Sequence, residues 1–308
     1  MWFVFALLTV LAWGAADLFY KKGADEKDRY SHLKTAMMVG LVMGIHAIFM
    51  LIFTDMNYNP INILVYLPVS LMYILSMVVG YFGLRYLEVS ISSPVQNSSG
   101  AVTAVLCLLI LGQSMDTLSA GGTFLICAGI LALGIIEKKL DKPKADDNDK
   151  KYRTGLKAFI IPVIYCVIDA LGTFFDAYYL DDVSATPLKD VTTETFENVA
   201  NTSYELTFLI CAVCIFIFLK IKGQTIRPKA QVSRGAAAVF ETAGQFTYVY
   251  ALSGNGAVAA PMISAYCIVS LILSRIFLKE KLTRSQAVSV AVVIAGIILM
   301  GVSEGLSE

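Results

Sequence analysis

The sequence is a succession of long apolar runs separated by short polar segments. A helix needs about 20 apolar residues to cross a hydrocarbon core of roughly 30 Å. Ten runs approach this length: 2–20, 34–53, 63–84, 91–111, 118–136, 155–180, 204–220, 234–253, 257–278 and 285–303. Barrel strands would be about ten residues long with strict alternation of polarity, which these runs lack. The sequence therefore predicts an all-α integral membrane protein with ten transmembrane helices.

The composition excludes several other classes of protein. Hydrophobic residues make up 57% of the chain and charged residues only 16%, whereas soluble domains carry roughly 25% charge. The 24 basic and 24 acidic side chains cancel, so no basic field exists to hold nucleic acid. The six cysteines lie inside apolar runs and the two histidines cannot form a cluster, so we expect no metal and no cofactor. The expected partners are a small-molecule solute and the lipid bilayer, with a homodimer possible.

The distribution of basic residues predicts the orientation in the membrane. Of the 24 lysines and arginines, Lys189 alone falls on the side that carries both termini. Basic residues stay on the cytoplasmic face during insertion. We therefore expect a multi-pass protein of the plasma or inner membrane, with both termini on the extracytoplasmic side.

The two halves of the chain repeat each other. Residues 94–137 align without a gap with residues 261–304, and both segments end in the order Ala-Gly-Ile, then Gly, then Glu. Nearer the start, Trp13 and Asp17 align with Tyr165 and Asp169. Five helices are an odd number, so the repeats would insert with opposite orientation, as in secondary transporters. The predicted units of this single transmembrane domain are a first repeat, a charged cytoplasmic linker and a second repeat, over 1–137, 138–153 and 154–304.

Several short motifs resemble the EamA family of the drug/metabolite transporter superfamily. They are the opening Leu11-Ala12-Trp13-Gly14, the paired Pro94 and Pro261, and the glycine patterns that close spans 5 and 10. The resemblance implies a central cavity lined by helices 1–4 and 6–9, with helices 5 and 10 peripheral, and export or exchange of small metabolites. Two features depart from the family pattern. Its members are often drawn with cytoplasmic termini, and the acidic residue common after the fourth span is Gln113 here, while Glu280 occupies the matching place in the second half.

Ionisable residues inside the spans are the first candidates for function, because each costs at least about 2.5 kcal/mol at mid-bilayer on insertion scales. Asp169 and Thr173 share a helix face with Asp176, and Glu241 and Gln245 share one with Tyr248. If both faces point inward, Asp169 and Glu241 can carry a proton or bind a cationic solute. The alternative is a structural carboxylate that a neighbouring hydroxyl or backbone group satisfies.

Three further ionisable residues have weaker claims to function. Asp17 lies one turn before Lys21 and can pair with it or reach the interface. His46 is more typical of a hydrogen-bonded structural residue than of a proton relay. For Asp176, the functional and structural interpretations are balanced.

Spans 4 and 9 carry the polar residues expected to bind solute. Pro94 precedes Gln96 and Asn97, and Pro261 precedes Tyr266. A proline can kink a helix and free backbone groups to line a cavity; the alternative is close packing through small residues. We assign Gln96, Asn97, Tyr266 and Trp13 to solute binding together with Asp169, Thr173, Glu241 and Gln245. Pro94 and Pro261 are the predicted kinks, and residues 181–202 could form a short helix that covers the cavity.

Together these features predict a secondary active transporter and not an enzyme. It would move a small polar metabolite, such as an amino acid, a sugar or a cationic solute, by alternating access with proton coupling or exchange. One alternative is a flippase for a lipid-linked sugar or phosphate, although that function would favour a basic groove. A more remote alternative is a non-transporting receptor or scaffold, which ought to carry a sizeable soluble domain.

Overall fold

The computed structural model describes residues 1–25, 28–83, 97–140, 156–278 and 283–307. This part of the chain is helical and contains no strand. The first half forms α1 Trp2–Gly23, α2 Ser31–Phe53, α3 Asn62–Val65, α4 Leu67–Gly83, α5 Ser99–Leu106 with a π-helical turn Cys107–Leu111, and α6 Thr117–Leu140. The second half forms α7 Leu156–Leu180, α8 Phe196–Ile221, α9 Pro228–Leu252, α10 Gly256–Ser264, α11 Tyr266–Leu278 and α12 Arg284–Ser307.

Seven helical stretches in the described residues are long and apolar enough to cross a membrane. They are α1, α2, α6, α7, α8, α12 and the stretch Gly256–Ser274 across α10 and α11. The helices in predicted spans 3 and 4 are shorter, at Leu67–Gly80 and Ser99–Leu111. Helix α9 has 25 residues but does not meet the same test, and it carries Lys229, Arg234 and Glu241. The all-helical membrane fold is thus observed, while the count of ten spans stays a prediction.

The outside of the bundle is apolar. Along α2, large aliphatic and aromatic side chains are exposed at positions that follow the helical repeat: Leu41, Ile45, Ile48, Phe49 and Ile52. Soluble proteins rarely expose so continuous an apolar surface. This surface is the one that a lipid-facing helix requires.

Helix α8 begins earlier than its apolar run suggests. The run starts at 204, whereas the helix starts at Phe196. The polar side chains of Asn201, Thr202 and Ser203 in the additional turns are buried inside the protein. Hydropathy measures the polarity of a residue and not what it faces, so the sequence-based boundary was wrong here.

The principal helix contacts join the two halves of the chain. Helix α1 packs along α9, and α4 packs along α7. Helices α2, α5 and α6 pack along α8, α10 and α12, respectively. If each helix is replaced by its counterpart in the other half, the pair α1–α9 becomes α7–α4, and the other three pairs are unchanged. The described helices of the two halves therefore interlock.

The two ends of the bundle are named here by the chain segments found there. The terminal end is the end at which α1 begins and α12 ends. There the amino nitrogen of Met1 lies 2.6 Å from Oε1 of Glu304. At the linker end α6 ends and α7 begins. Helix α7 runs from the linker end, so Asp169 precedes Thr173 and Asp176 on the way to the terminal end.

Predicted span 9 is interrupted, at a position four residues beyond its proline. Pro261 lies inside α10, and the break between α10 and α11 is at Ala265. The Ala265 amide bonds to the Met262 carbonyl, three residues back, in a tighter turn than an α-helix makes. Pro94, the other predicted kink, lies outside the described residues.

Candidate functional site

A cavity of about 150 Å³ lies between the two halves of the bundle. Its described lining comes from α1, α4, α5, α7, α8, α9, α10 and α11. The lining residues are Trp13, Asp17, Tyr20, Lys21, Tyr73, Met77, Gly80, Asn97, Ser99, Gly100, Tyr165, Asp169, Thr173, Tyr204, Glu241, Gln245, Tyr248, Ala260, Ile263, Ser264 and Tyr266. Within this set, α2 contributes no residue, although the family resemblance implied that it would. Helix α2 packs mainly against α8 and α9.

Most residues predicted to bind solute lie on this cavity. They are Trp13, Asn97, Asp169, Thr173, Glu241, Gln245 and Tyr266. Gln96 lies outside the described residues. The spacing on α7 and on α9 thus places the expected faces inward. The role of each residue in binding or proton transfer stays a prediction.

The Glu241 side chain is held among aromatic residues. The Tyr20 hydroxyl donates to the Glu241 carboxylate at 3.3 Å, and the Trp13 indole N–H donates to the Glu241 backbone carbonyl at 3.4 Å. The Trp13 ring lies 5.0 Å from the Tyr248 ring and 5.9 Å from the Tyr266 ring. These contacts join Glu241 directly to Tyr20 and Trp13, and through Trp13 to Tyr248 and Tyr266.

Gly244 allows Trp13 to lie against α9. A β-carbon at Gly244 would overlap the Trp13 indole ring. Only a residue without a side chain permits so close an approach of the ring to the helix. Gly244 is a site-shaping residue that sequence reasoning missed, and its position one turn after Glu241 was the available signal.

Asp169 lines the same cavity from α7. The Ser76 hydroxyl lies 3.3 Å from one carboxylate oxygen, and Ser99 and Tyr165 also hydrogen-bond to this carboxylate. One turn further along α7, the Tyr73 hydroxyl donates to Thr173 at 2.9 Å. Each cavity carboxylate is therefore oriented by hydroxyl groups from a neighbouring helix.

Asp17 also lines the cavity, next to Lys21. Ser270 hydrogen-bonds to Asp17, and the Lys21 ammonium donates to Ser274 at 3.3 Å. The sequence had assigned Asp17 chiefly to the interface or to pairing with Lys21. The internal alignment of Asp17 with Asp169 was the signal for a larger role, since both carboxylates meet at one cavity.

Gln245 presents an amide donor that no described residue accepts. The side chain is 1% exposed, and no hydrogen-bond acceptor among the described residues reaches its Nε2. A buried amide N–H without a partner costs about 1–3 kcal/mol. Because Gln245 lines the cavity, this donor is available to an acceptor on a bound molecule.

A layer of tyrosines closes the cavity toward the terminal end. The hydroxyls of Tyr73 and Tyr248 are 2.5 Å apart, and the Tyr73 ring packs edge-on against Tyr204. Beyond them, the fully buried Tyr66 donates to Asp176. We call Tyr66, Tyr73, Tyr204 and Tyr248 the tyrosine layer. Asp176 lies behind this layer and is not part of the cavity lining.

His46 pairs with a buried carboxylate away from the cavity. Its Nδ1 lies 2.8 Å from both carboxylate oxygens of Glu205, and its ring packs edge-on against Phe246. Glu205 is fully buried. The sequence reasoning missed Glu205, although an ionisable residue inside the run 204–220 was a sufficient signal.

The segment before α8 does not contain the short helix that was suggested for residues 181–202. Residues 181–195 form turns, and Phe196 already belongs to α8. The segment lies against α3: the Lys189 backbone makes two hydrogen bonds with the Asn62 side chain, and Leu188 is buried. A covering role for this segment stays a prediction.

Comparison with known proteins shows which family the chain belongs to. Residues 1–135 and 190–302 match the profile described as the EamA-like transporter family. The chain belongs to this family. It is therefore a multi-pass membrane transporter of the drug/metabolite transporter superfamily, as its motifs indicated.

Two individual proteins are also similar. A protein of Methanocaldococcus jannaschii, described as uncharacterized, is 32% identical over 93 residues, which are 30% of this chain and 68% of that protein. A solved protein crystal structure superposes with a TM-score of 0.71 and 11% identity, covering 99% of this chain and 98% of the other. At that identity the likeness extends to the fold alone.

Proposed function

We propose that this transporter moves a small amine-bearing metabolite by alternating access and exchanges it against protons. The proposal rests on the charges of the described lining residues: three carboxylates, Asp17, Asp169 and Glu241, and one ammonium group, that of Lys21. Ionised carboxylates in a poorly hydrated cavity need cations or protons to balance them. A solute cation and protons would therefore compete for the same groups.

The size and remaining polarity of the cavity support a small solute with two polar ends. A water needs about 10–15 Å³ of such volume, so 150 Å³ accommodates on the order of ten non-hydrogen atoms. The rings of Trp13, Tyr248 and Tyr266 offer faces that attract an ammonium group. The unused amide donor of Gln245 suits a carbonyl or carboxylate oxygen on the same molecule. An amino acid or its amide combines these features.

Alternating access is supported by the way in which the halves pack. The principal contacts keep their pattern when the two halves are exchanged. We propose that residues 1–137 and 154–304 are inverted five-helix repeats and that the cavity opens alternately at either end. An anionic headgroup would meet three carboxylates and one lysine there, so the geometry disfavours a flippase for lipid-linked phosphates. We retain an orientation with both termini extracytoplasmic, which follows from the basic residues.

The first experiment measures ligand-induced stabilisation of the purified protein. The probes are a panel of amino acids and aliphatic amines, with glucose and inorganic phosphate as comparisons. We expect the amines to raise the midpoint of thermal unfolding in the native protein but not in Asp169→Asn or Glu241→Gln. Glu194→Gln, at an exposed carboxylate outside the cavity, is the matched control and should respond as the native protein does. Equal stabilisation by glucose or phosphate would overturn the proposed solute class.

The second experiment measures flux in proteoliposomes. A solute that stabilises the protein should drive proton movement, followed by a pH-sensitive dye inside the vesicles. Asp169→Asn should abolish the coupled proton movement. Undiminished, equally pH-dependent uptake in this variant would contradict the assigned role of Asp169.

A further inference from the structure

Asp176 combines complete burial with an unmet hydrogen-bonding requirement. Its side chain has no exposed surface, and Tyr66 donates to its Oδ1. Its Oδ2 is buried and has no hydrogen-bond partner among the described residues. In the same part of the chain, no lysine, arginine or histidine forms an ion pair with it. An ionised carboxylate in these surroundings would lack the compensation that burial of a charge requires.

The nearest polar neighbours of Asp176 among the described residues are tyrosine hydroxyls. Tyr66 precedes α4, Tyr73 lies on α4 and Tyr248 lies on α9, while Tyr204 of α8 lies next to Tyr66 and Tyr73. Cys107 lies near the adjacent Ala177, since both border Gly256 of α10. The acidic groups on the same helix or at its end, Asp169 and Asp181, add negative charge. The hydrogen bond from Tyr66 favours the carboxylate anion, but no ion pair among the described residues adds to it, and the complete burial of the side chain favours the neutral acid.

Asp176 also lies at the place where an opening at the terminal end must begin. It is one helical repeat beyond Asp169, about 10 Å further along α7 at 1.5 Å per residue. The tyrosine layer separates it from the cavity, and the segment 181–195 lies at the end of α7 beyond it. Access from the terminal end requires that these contacts separate, which would admit water to Asp176.

We propose that Asp176 is the proton-binding site of the terminal-end gate formed by the tyrosine layer. Asp176 is a neutral acid while the layer is closed. When the layer opens, its O–H bond breaks and the proton passes to water on that side. Closure requires the return of one proton. The gate therefore responds to the pH at the terminal end. This inference rests on the proposed alternating access but not on the identity of the solute.

The test of the protonation state uses infrared difference spectroscopy on the full-length protein in lipid at neutral pH. The native protein should show a protonated-carboxyl band that is absent from Asp176→Asn and retained in Asp182→Asn, an exposed carboxylate at the same end. Since the amide replaces a neutral acid of similar size, Asp176→Asn should also fold with nearly native stability. An unchanged band in Asp176→Asn, or failure of that variant to fold, would overturn the proposal.

The test of the gate uses the buried Cys107 thiol as a reporter, with the other five cysteines replaced by serine or alanine. A membrane-impermeant maleimide is applied at the terminal end over a range of pH. The labelling rate is measured in the protein that retains Asp176 and in Asp176→Asn. The ratio of the first rate to the second is used, because the thiol's own pH dependence is common to both and cancels. This ratio should rise with pH by up to about tenfold per unit, as the release of one proton requires.

A ratio that does not change with pH, or one that Asp182→Asn abolishes equally, would refute the link between Asp176 and the gate. Neither experiment contains a transported solute. If no amine is transported but the band and the ratio behave as expected, the proposed solute is wrong and the proton site stands. If amines are transported and the ratio is flat, the proton site is wrong.

Discussion

The pair formed by His46 and Glu205 provides the sharpest test of packing between the halves. The imidazole is the basic partner of a carboxylate that has no exposed surface. At this seam Gly40 and Gly44 bring α2 so close to α8 that a β-carbon at either position would overlap Phe208 or Leu209. Replacing His46 alone therefore leaves a buried carboxylate in a tightly packed interface.

The expected magnitude follows from the difference between breaking and removing the pair. Leaving a buried polar partner unsatisfied costs about 1–3 kcal/mol, and more when it is charged. Replacing both partners by apolar groups of similar shape is nearly neutral. We therefore expect His46→Leu and Glu205→Leu to be destabilising separately, and the double variant to be less destabilised than their sum by about 2 kcal/mol.

The assay is reversible unfolding in mixed micelles by a denaturing detergent, applied to the four members of the cycle. Thr207→Val is the matched control: the buried Thr207 hydroxyl bonds to Ser203 within α8, so its effect should add to that of His46→Leu. Neutral hydrogen bonds between membrane helices average about 0.6 kcal/mol and reach about 1.7 kcal/mol. A coupling energy above that range indicates an ion pair, whereas additive single effects would refute the reasoning.

Two further predictions concern the cavity wall and the terminal end. Gly244→Val should force the Trp13 ring away from α9, lower the free energy of unfolding by about 1–3 kcal/mol through overpacking, and reduce stabilisation by amines. Gly305→Val is the control, because a side chain at Gly305 would meet open space. Tryptophan fluorescence and amine binding equal to those of the native protein in Gly244→Val would contradict this prediction. Hydrogen bonds from Ser119 and Ser303 hold the pKa of Asp116 well below its usual range. A group whose pKa is lowered in the folded state stabilises the fold when the pH is above its pKa in the unfolded state, which is near 4 for Asp. This stabilisation is lost as the pH falls below that value. The difference in thermal stability between the native protein and Asp116→Ala should therefore be full at neutral pH and shrink below about pH 4; a difference independent of pH would exclude this contribution.

Much of the cavity could be predicted because helical periodicity is a local property. Glu241, Gln245 and Tyr248 share a face at any place where their segment is helical. The same holds for Asp169 and Thr173. The pattern could not show that α2 supplies none of the described lining residues, because this depends on its packing against α8 and α9.

The residues that were missed share a physical reason. Glu205 appears in sequence as a carboxylate at the edge of an apolar run, and its burial depends on the distant His46. Tyr66 and Tyr73 are ordinary aromatic residues of a span until α7 and α9 bring Thr173, Asp176 and Tyr248 to their hydroxyl groups. A hydrogen-bond partner a hundred residues or more away leaves no periodic trace in the chain.

The sequence by itself determined that this chain is a helical membrane protein, that its halves are related, and which helix faces carry carboxylates. These are consequences of local hydropathy and of the 3.6-residue repeat. Only the tertiary structure decided that Asp17 joins Asp169 and Glu241 at one cavity while Asp176 is sealed behind the tyrosine layer. The burial of a side chain and its hydrogen-bond partners depend on which helices pack together, and one sequence pattern is compatible with many packing arrangements.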